Sequence, residues 1–83
     1  MTLDGNAIGG ILAELFGVEM TTALSTCDGC GRLDVVAELV VYTRSPGIVV
    51  RCPGCDSVLM RIVRTRDRYL LDLRGIRSLG LDI

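Results

Sequence analysis

Cys27-Asp28-Gly29-Cys30-Gly31 and Cys52-Pro53-Gly54-Cys55, two C-x2-C pairs with 21 residues between them, decide how this chain folds. A C-x2-C turn brings two sulfurs to one side of a tight loop. A hairpin running between two such turns returns the second pair opposite the first, which is the spacing of a two-knuckle metal site. The chain contains no histidine, so the ligand set is Cys27, Cys30, Cys52 and Cys55 alone. Four thiolates leave no open position for water or substrate, which points to a structural ion and away from a hydrolytic one. Zn2+ is the expected ion, and four-thiolate iron is the alternative that the spacing leaves open. Two independent C-x-x-C redox centres fit poorly, because neither pair sits in a strand-to-helix context. Gly29, Gly31 and Gly54 are expected to permit torsions that point peptide N–H groups at the sulfurs, with Pro53 stiffening the second turn.

A metal answers a need set by size. Eighty-three residues make a single domain that buries too little surface for a comfortable margin of stability. A structural Zn2+ contributes on the order of 10–16 kcal/mol to folding in small zinc-finger peptides. Hydrophobic residues make up 49% of the chain and its mean hydropathy is positive, so an exposed apolar docking patch is also expected. The start, MTLDGNAIGG, has an acid and no basic residue, unlike a signal peptide. Glu14, Asp34 and Glu38 interrupt the longest apolar stretches, well short of the roughly 20 residues of a membrane span. The expectation is a soluble, cytoplasmic protein, and in a reducing compartment paired cysteines serve metals more often than disulfides.

Outward from the cysteines, the segments 4–17, 27–73 and 74–83 read as an N-terminal helix, a ribbon and a tail. Asp4 can cap a helix over 5–16, Leu3 and Ile8 are spaced as a hydrophobic staple, and Gly17 can close the far end. Ile8, Ile11, Leu12, Leu15 and Phe16 line one apolar face, which either packs on the domain's own sheet or docks on a partner. Residues 21–26 read as a polar link. Leu33 to Tyr42 reads as one strand, with Leu33, Val35, Ala37, Leu39 and Val41 on one side. Arg44-Ser45-Pro46-Gly47 suits a type II turn, and Ile48 to Arg51 returns to the metal. Val58 to Arg64 and Tyr69 to Leu73 form a second hairpin around residues 65–68. In the tail, Leu79, Leu81 and Ile83 alternate like a loosely held edge strand.

The charge is unevenly distributed. Residues 1–40 carry six acids and only Arg32, whereas residues 41–83 carry eight arginines and four aspartates. All nine basic residues are arginine, which fits selection for bidentate contacts but is more often the imprint of a GC-rich genome. Arg61, Arg64, Arg66 and Arg68 cluster on the second hairpin in the manner of nucleic-acid-binding ribbons. Stacking aromatics are scarce, however, and Asp67 interrupts the turn, so a solvated hairpin tip is the simpler reading. Tyr42 and Tyr69 read as packing at the edge of the core. Without histidine no nucleophile–base pair can be built, and the scattered carboxylates show no acid–base pairing. The chain is expected not to be an enzyme.

The sequence of knuckle, hairpin, second knuckle and further strands resembles the zinc-ribbon superfamily over residues 27–73. That resemblance implies a small, mostly-β, metal-bound domain of antiparallel hairpins, here with an amphipathic helix at its N-terminus. C-x-x-C-G followed by C-P-x-C also resembles the ligand pattern of rubredoxins, which implies a one-electron iron carrier. Arg32 and Asp56 depart from that family, which places an aromatic and a glycine at those points. DGNAIGGILAELF, RCPGCDSVLMRIVR and YLLDLRGIRSL resemble a family of short actinobacterial four-cysteine proteins of unknown function, which implies a redox-enzyme partner. The expected role is a zinc-stabilised, non-enzymatic adaptor or accessory protein that docks on a larger protein through its helix and tail. A rubredoxin-like carrier serving a flavin or molybdenum oxidoreductase and a nucleic-acid-binding ribbon are the alternatives.

Overall fold

Asp4 starts the N-terminal helical segment, accepting a hydrogen bond from the Asn6 N–H at 3.1 Å, as a capping side chain should. The computed structural model describes residues 2–45 and 47–81. Thr2–Asp4 is itself a short strand, β1, which the sequence reading missed. The first helical turn, Gly5–Ile8, is 3₁₀, and only Gly9–Phe16 (α1) is α-helical. Low-propensity Gly9 and Gly10 make the junction. Gly17, at φ 73°, closes the helix by donating to the Ala13 carbonyl at 2.8 Å, the expected left-handed cap. Ile8 and Leu12 are fully buried, while Ile11, Leu15 and Phe16 are half-buried. The apolar face of the helix is therefore spent inside this fold.

Two antiparallel sheets follow. The larger has strand order β1-β4-β5-β6-β7, with β4 Val40–Ser45, β5 Gly47–Arg51, β6 Val58–Arg64 and β7 Tyr69–Asp72. The smaller has order β3-β2-β8, with β2 Leu24–Cys27, β3 Leu33–Val35 and β8 Ile76–Gly80. Hairpins β4-β5 and β6-β7 stand where the sequence places them. The turn assigned to residues 44–47 includes Pro46, which lies outside the described residues.

Three expectations are corrected. The polar link at 21–26 is half strand: β2 is the central strand of the small sheet, and Ala23, Ser25 and Cys27 alternate inward, all about 2% exposed. Small and polar inward residues concealed that period. The single strand from Leu33 to Tyr42 is two strands in different sheets, joined by a 3₁₀ turn at Val36–Glu38. Its inward residues are Asp34, Val36, Leu39 and Val41, and Leu33 is 59% exposed. The parity read from the sequence holds only past the bend. The tail forms an edge strand, as expected, but it is not loose, because β8 pairs with β2 from Leu24↔Gly80 to Cys27↔Ile76. Ile76 and Leu79 pack on the core, Leu81 is exposed, and Ile83 lies outside the described residues.

One core cluster draws on both sheets and the helix. Leu12, Val36, Leu39, Val41, Val50, Leu59, Met60 and Ile62 belong to it, and so do two of the cysteines, Cys27 and Cys52. The neighbours Leu59 and Met60 on β6 are both buried, so that strand is covered on both faces at its start. The chain around Gly75 supplies the second cover, donating from the Gly75 N–H to the Leu59 carbonyl at 3.2 Å.

Candidate metal centre

Cys27 ends β2 and Cys52 follows β5, so each sheet delivers one knuckle. The four Sγ atoms lie within 4.8 Å of one another. The two contacts that cross between knuckles, Cys27–Cys55 and Cys30–Cys52, are both 3.7 Å. A tetrahedron with metal–sulfur bonds of about 2.3 Å has edges of about 3.8 Å, so the donor set fits one tetrahedral ion. The same contacts are far longer than the roughly 2.05 Å of a disulfide, and all four cysteines are free. The first cysteine of each pair is buried and the second exposed. The ion would therefore sit at the rim of the core, anchored from inside by Cys27 and Cys52.

The two knuckles repeat one hydrogen-bonding scheme. Cys27 N–H donates to the Arg32 carbonyl and Cys52 N–H to the Ser57 carbonyl, both at 2.9 Å. Gly31 N–H donates back to the Cys27 carbonyl at 2.8 Å, and Asp56 N–H to the Cys52 carbonyl at 2.9 Å. Gly31 and Asp56 occupy equivalent places, and both have positive φ, 77° and 63°. Aspartate tolerates that region better than most residues, so it performs in the second knuckle what glycine performs in the first. Gly29 and Gly54 do not have positive φ, which corrects the torsional role expected of them. They are small because the knuckles interlock. A Cβ on Gly29 would stand 2.9 Å from Ser57 Oγ, and one on Gly54 the same distance from Arg32 Cδ.

Two of the sulfurs have hydrogen-bonding neighbours. Gly54 N–H donates to Cys52 Sγ at 3.3 Å, and Ser57 Oγ lies 3.1 Å from Cys55 Sγ. The Ser57 hydroxyl and then its amide draw the Cys55 thiol down to about 6. The Arg32 amide acts on Cys30 in the same sense, but desolvation and the three neighbouring sulfurs outweigh it and push that thiol up to about 12. The opposite shifts of Cys55 and Cys30 are those of neighbouring groups that would carry like charges. A divalent cation removes that conflict.

Arginines surround the knuckles. Arg32 donates to Asp34 at 2.8 Å, and this hydrogen bond, followed by the charge of Asp34 and then the sulfurs of Cys52 and Cys30, raises its pKa. Arg51 clips the second knuckle through the Asp56 carbonyl at 2.8 Å, with its guanidinium 5.7 Å from the Tyr42 ring centre. Arg77, reaching from β8, holds the Asp28 carboxylate and carbonyl, each at 3.2 Å. Sequence reasoning missed all three. Only the all-arginine composition hinted at fork-shaped contacts to carbonyl and carboxylate groups.

Two of the four hairpin arginines, Arg64 and Arg68, have a contact of their own, and Arg61 has an acid opposite it in the ladder. Arg64 stands 5.8 Å from the Tyr69 ring centre, Arg68 is 3.7 Å from Asp67, and Arg61 faces Asp72 across the ladder. Tyr69 packs against the core, as expected. Among the described residues no helix is long and apolar enough to cross a membrane.

Residues 1–83 match the model of a family described as "Family of unknown function (DUF6510)", and the chain belongs to that family. No curated protein and no solved structure matches it.

Proposed function

We propose that this chain is a zinc-ribbon protein in which Cys27, Cys30, Cys52 and Cys55 hold one structural Zn2+, and that it works without catalysis, as an adaptor or accessory subunit on a larger protein. The observation that carries the reading is the cysteine cluster, whose sulfurs lie within 4.8 Å of one another. All four positions of a tetrahedral ion are filled by thiolate, so no site remains for a substrate. Cys27 and Cys52 belong to the core itself, and a metal there closes the contact between the two sheets.

A docking role is supported by apolar surface left outside the core. Leu24 and Leu33 lie on the outer face of the small sheet beside the first knuckle, 44% and 59% exposed. The helix and the tail, by contrast, are used internally, which moves the proposed surface from those segments to this sheet. A redox enzyme, in the cytoplasm, is the partner class that fits the family resemblance.

A second reading, a rubredoxin-like carrier with four-thiolate iron, is favoured by the exposure of Cys30 and Cys55. Asp56 adopts the glycine-like torsion, so its departure from the rubredoxin pattern is structurally absorbed. Elemental analysis and a visible spectrum of protein from metal-balanced expression separate the readings: colourless protein with zinc supports the first, red and reducible protein with iron the second. Native affinity purification tests the adaptor role, and a monodisperse monomer with nothing co-purifying would remove it.

A further inference from the structure

β7 is the terminal strand of the large sheet, and its outer edge has the makings of a self-complementary interface. Thr65 N–H donates to the Arg68 carbonyl at 2.8 Å, and the register continues without a shift through Arg64↔Tyr69 to Arg61↔Asp72. Antiparallel ladders alternate hydrogen-bonded and non-hydrogen-bonded pairs. Leu70 and Asp72 therefore direct their backbone groups at β6, and Tyr69 and Leu71 direct theirs at the open edge. The strand itself has none of the usual edge protection by proline or lysine, and Leu70 and Leu71 are 52% and 39% exposed.

We infer that β7 pairs antiparallel with β7 of a second copy of this chain, centred on Leu70, to make one continuous sheet across a two-fold axis. Such an axis stands normal to the sheet, so it opposes only residues on the same face. Two registers then keep the strands overlapped. Centred on Leu71, the pairing sets Leu70 against the partner's Asp72, which crowds a carboxylate against an apolar side chain and leaves Arg68 with no acid opposite it in β7. Centred on Leu70, it sets Leu70 against the partner's Leu70 and Arg68 against the partner's Asp72, both in the close, non-hydrogen-bonded positions where side chains interact most strongly. Tyr69 and the partner's Leu71 exchange the backbone hydrogen bonds. Each charge pair occurs twice by symmetry. The Arg68 side chain is 71% exposed with only a 3.7 Å contact to Asp67, so it is free to turn; Asp72 already holds Arg74 at 2.6 Å, and the partner's Arg68 joins that pair on the carboxylate's remaining lone pairs. This inference draws on none of the cysteines and does not depend on the metal or adaptor readings.

The test is sedimentation equilibrium of the full metal-loaded chain from micromolar to millimolar concentration. The expected result is a concentration-dependent rise from the 8.9 kDa monomer to twice that mass, with association weakening as salt rises. Arg68→Asp and Asp72→Arg each oppose like charges across the axis and are expected to stay monomeric while keeping their metal content and far-ultraviolet circular dichroism. Mixed one to one, they restore both Arg–Asp pairs and are expected to form the heterodimer. Should Asp72→Arg fail to fold, amide exchange of the wild type gives the second readout: Tyr69 and Leu71 N–H gain protection with concentration. A wild type monomeric throughout the range, a dimer that Arg68→Asp leaves intact, or amide protection arising elsewhere would each overturn the inference.

Discussion

Gly31→Ala isolates the torsional requirement of a knuckle. Gly31 has φ 77°, and a Cβ added there would meet nothing within 4 Å, so sterics play no part. The left-handed conformation costs an L-residue about 1–2 kcal/mol. Alanine also restricts the unfolded chain, which returns about 0.4–1 kcal/mol, leaving a net loss near 1 kcal/mol. For a domain of this size that lowers the melting midpoint by about 4–8 °C. If folding and metal binding are coupled, the same loss appears as an approximately five-fold weaker hold on Zn2+ in a chelator competition. Gly31→Asn should cost clearly less, because asparagine visits this region more readily. Asp56→Gly, at the equivalent place in the second knuckle, should lie close to the wild type, since relief of the 63° torsion opposes the greater freedom of the unfolded glycine. Thermal melts of the three variants decide it. Alanine and asparagine both matching the wild type at position 31 would refute the account of the knuckles as conformational equivalents.

Other substitutions test the packing and charge around this frame. Gly10→Ala, in α1 with open space about it, should stabilise by about 0.5–1 kcal/mol, a change opposite in sign to Gly31→Ala and visible in the same melts. Gly75→Ala would set a Cβ 1.9 Å from the Val58 carbonyl oxygen. It should lose the cover over Leu59 and melt far below Gly31→Ala. Leu12→Ala, at a fully buried position, should cost about 2–5 kcal/mol in denaturant unfolding if the helix packs on its own sheet, and almost nothing if it does not. Arg32→Ala strands the buried Asp34 carboxylate at about 1–3 kcal/mol, and Asp34→Asn in the same chain should recover part of that loss, a non-additivity read from a double-mutant cycle.

What could be read in advance followed how local each signal is. The cysteine knuckles were legible because i, i+3 spacing and glycine content are set within five residues, and the hairpin β6-β7 because its strands and polar turn are contiguous. The helix boundary at Gly17 was legible for the same reason. β2 was not, since its inward residues are Ala23, Ser25 and Cys27, whose alternation carries almost no hydrophobic contrast. The split of 33–42 between two sheets depends on the Ala37 N–H reaching the Thr21 carbonyl and the Val36 N–H reaching the Ala23 carbonyl, contacts that no window of the strand contains. The hold of Arg77 on Asp28 spans 49 residues and is equally invisible locally. Asp56 looked like a departure from a glycine pattern, and only its torsion shows that it fills the same role.

The most direct test of the central claim is native mass spectrometry of the full chain, purified under reducing conditions from metal-balanced expression, followed by titration with a chelator. The expected result is one Zn2+ per chain, bound with all four thiols deprotonated and unavailable to alkylation, and cooperative loss of the fold as the metal leaves. A metal-free chain that keeps its circular dichroism and exposes freely alkylated cysteines would contradict it.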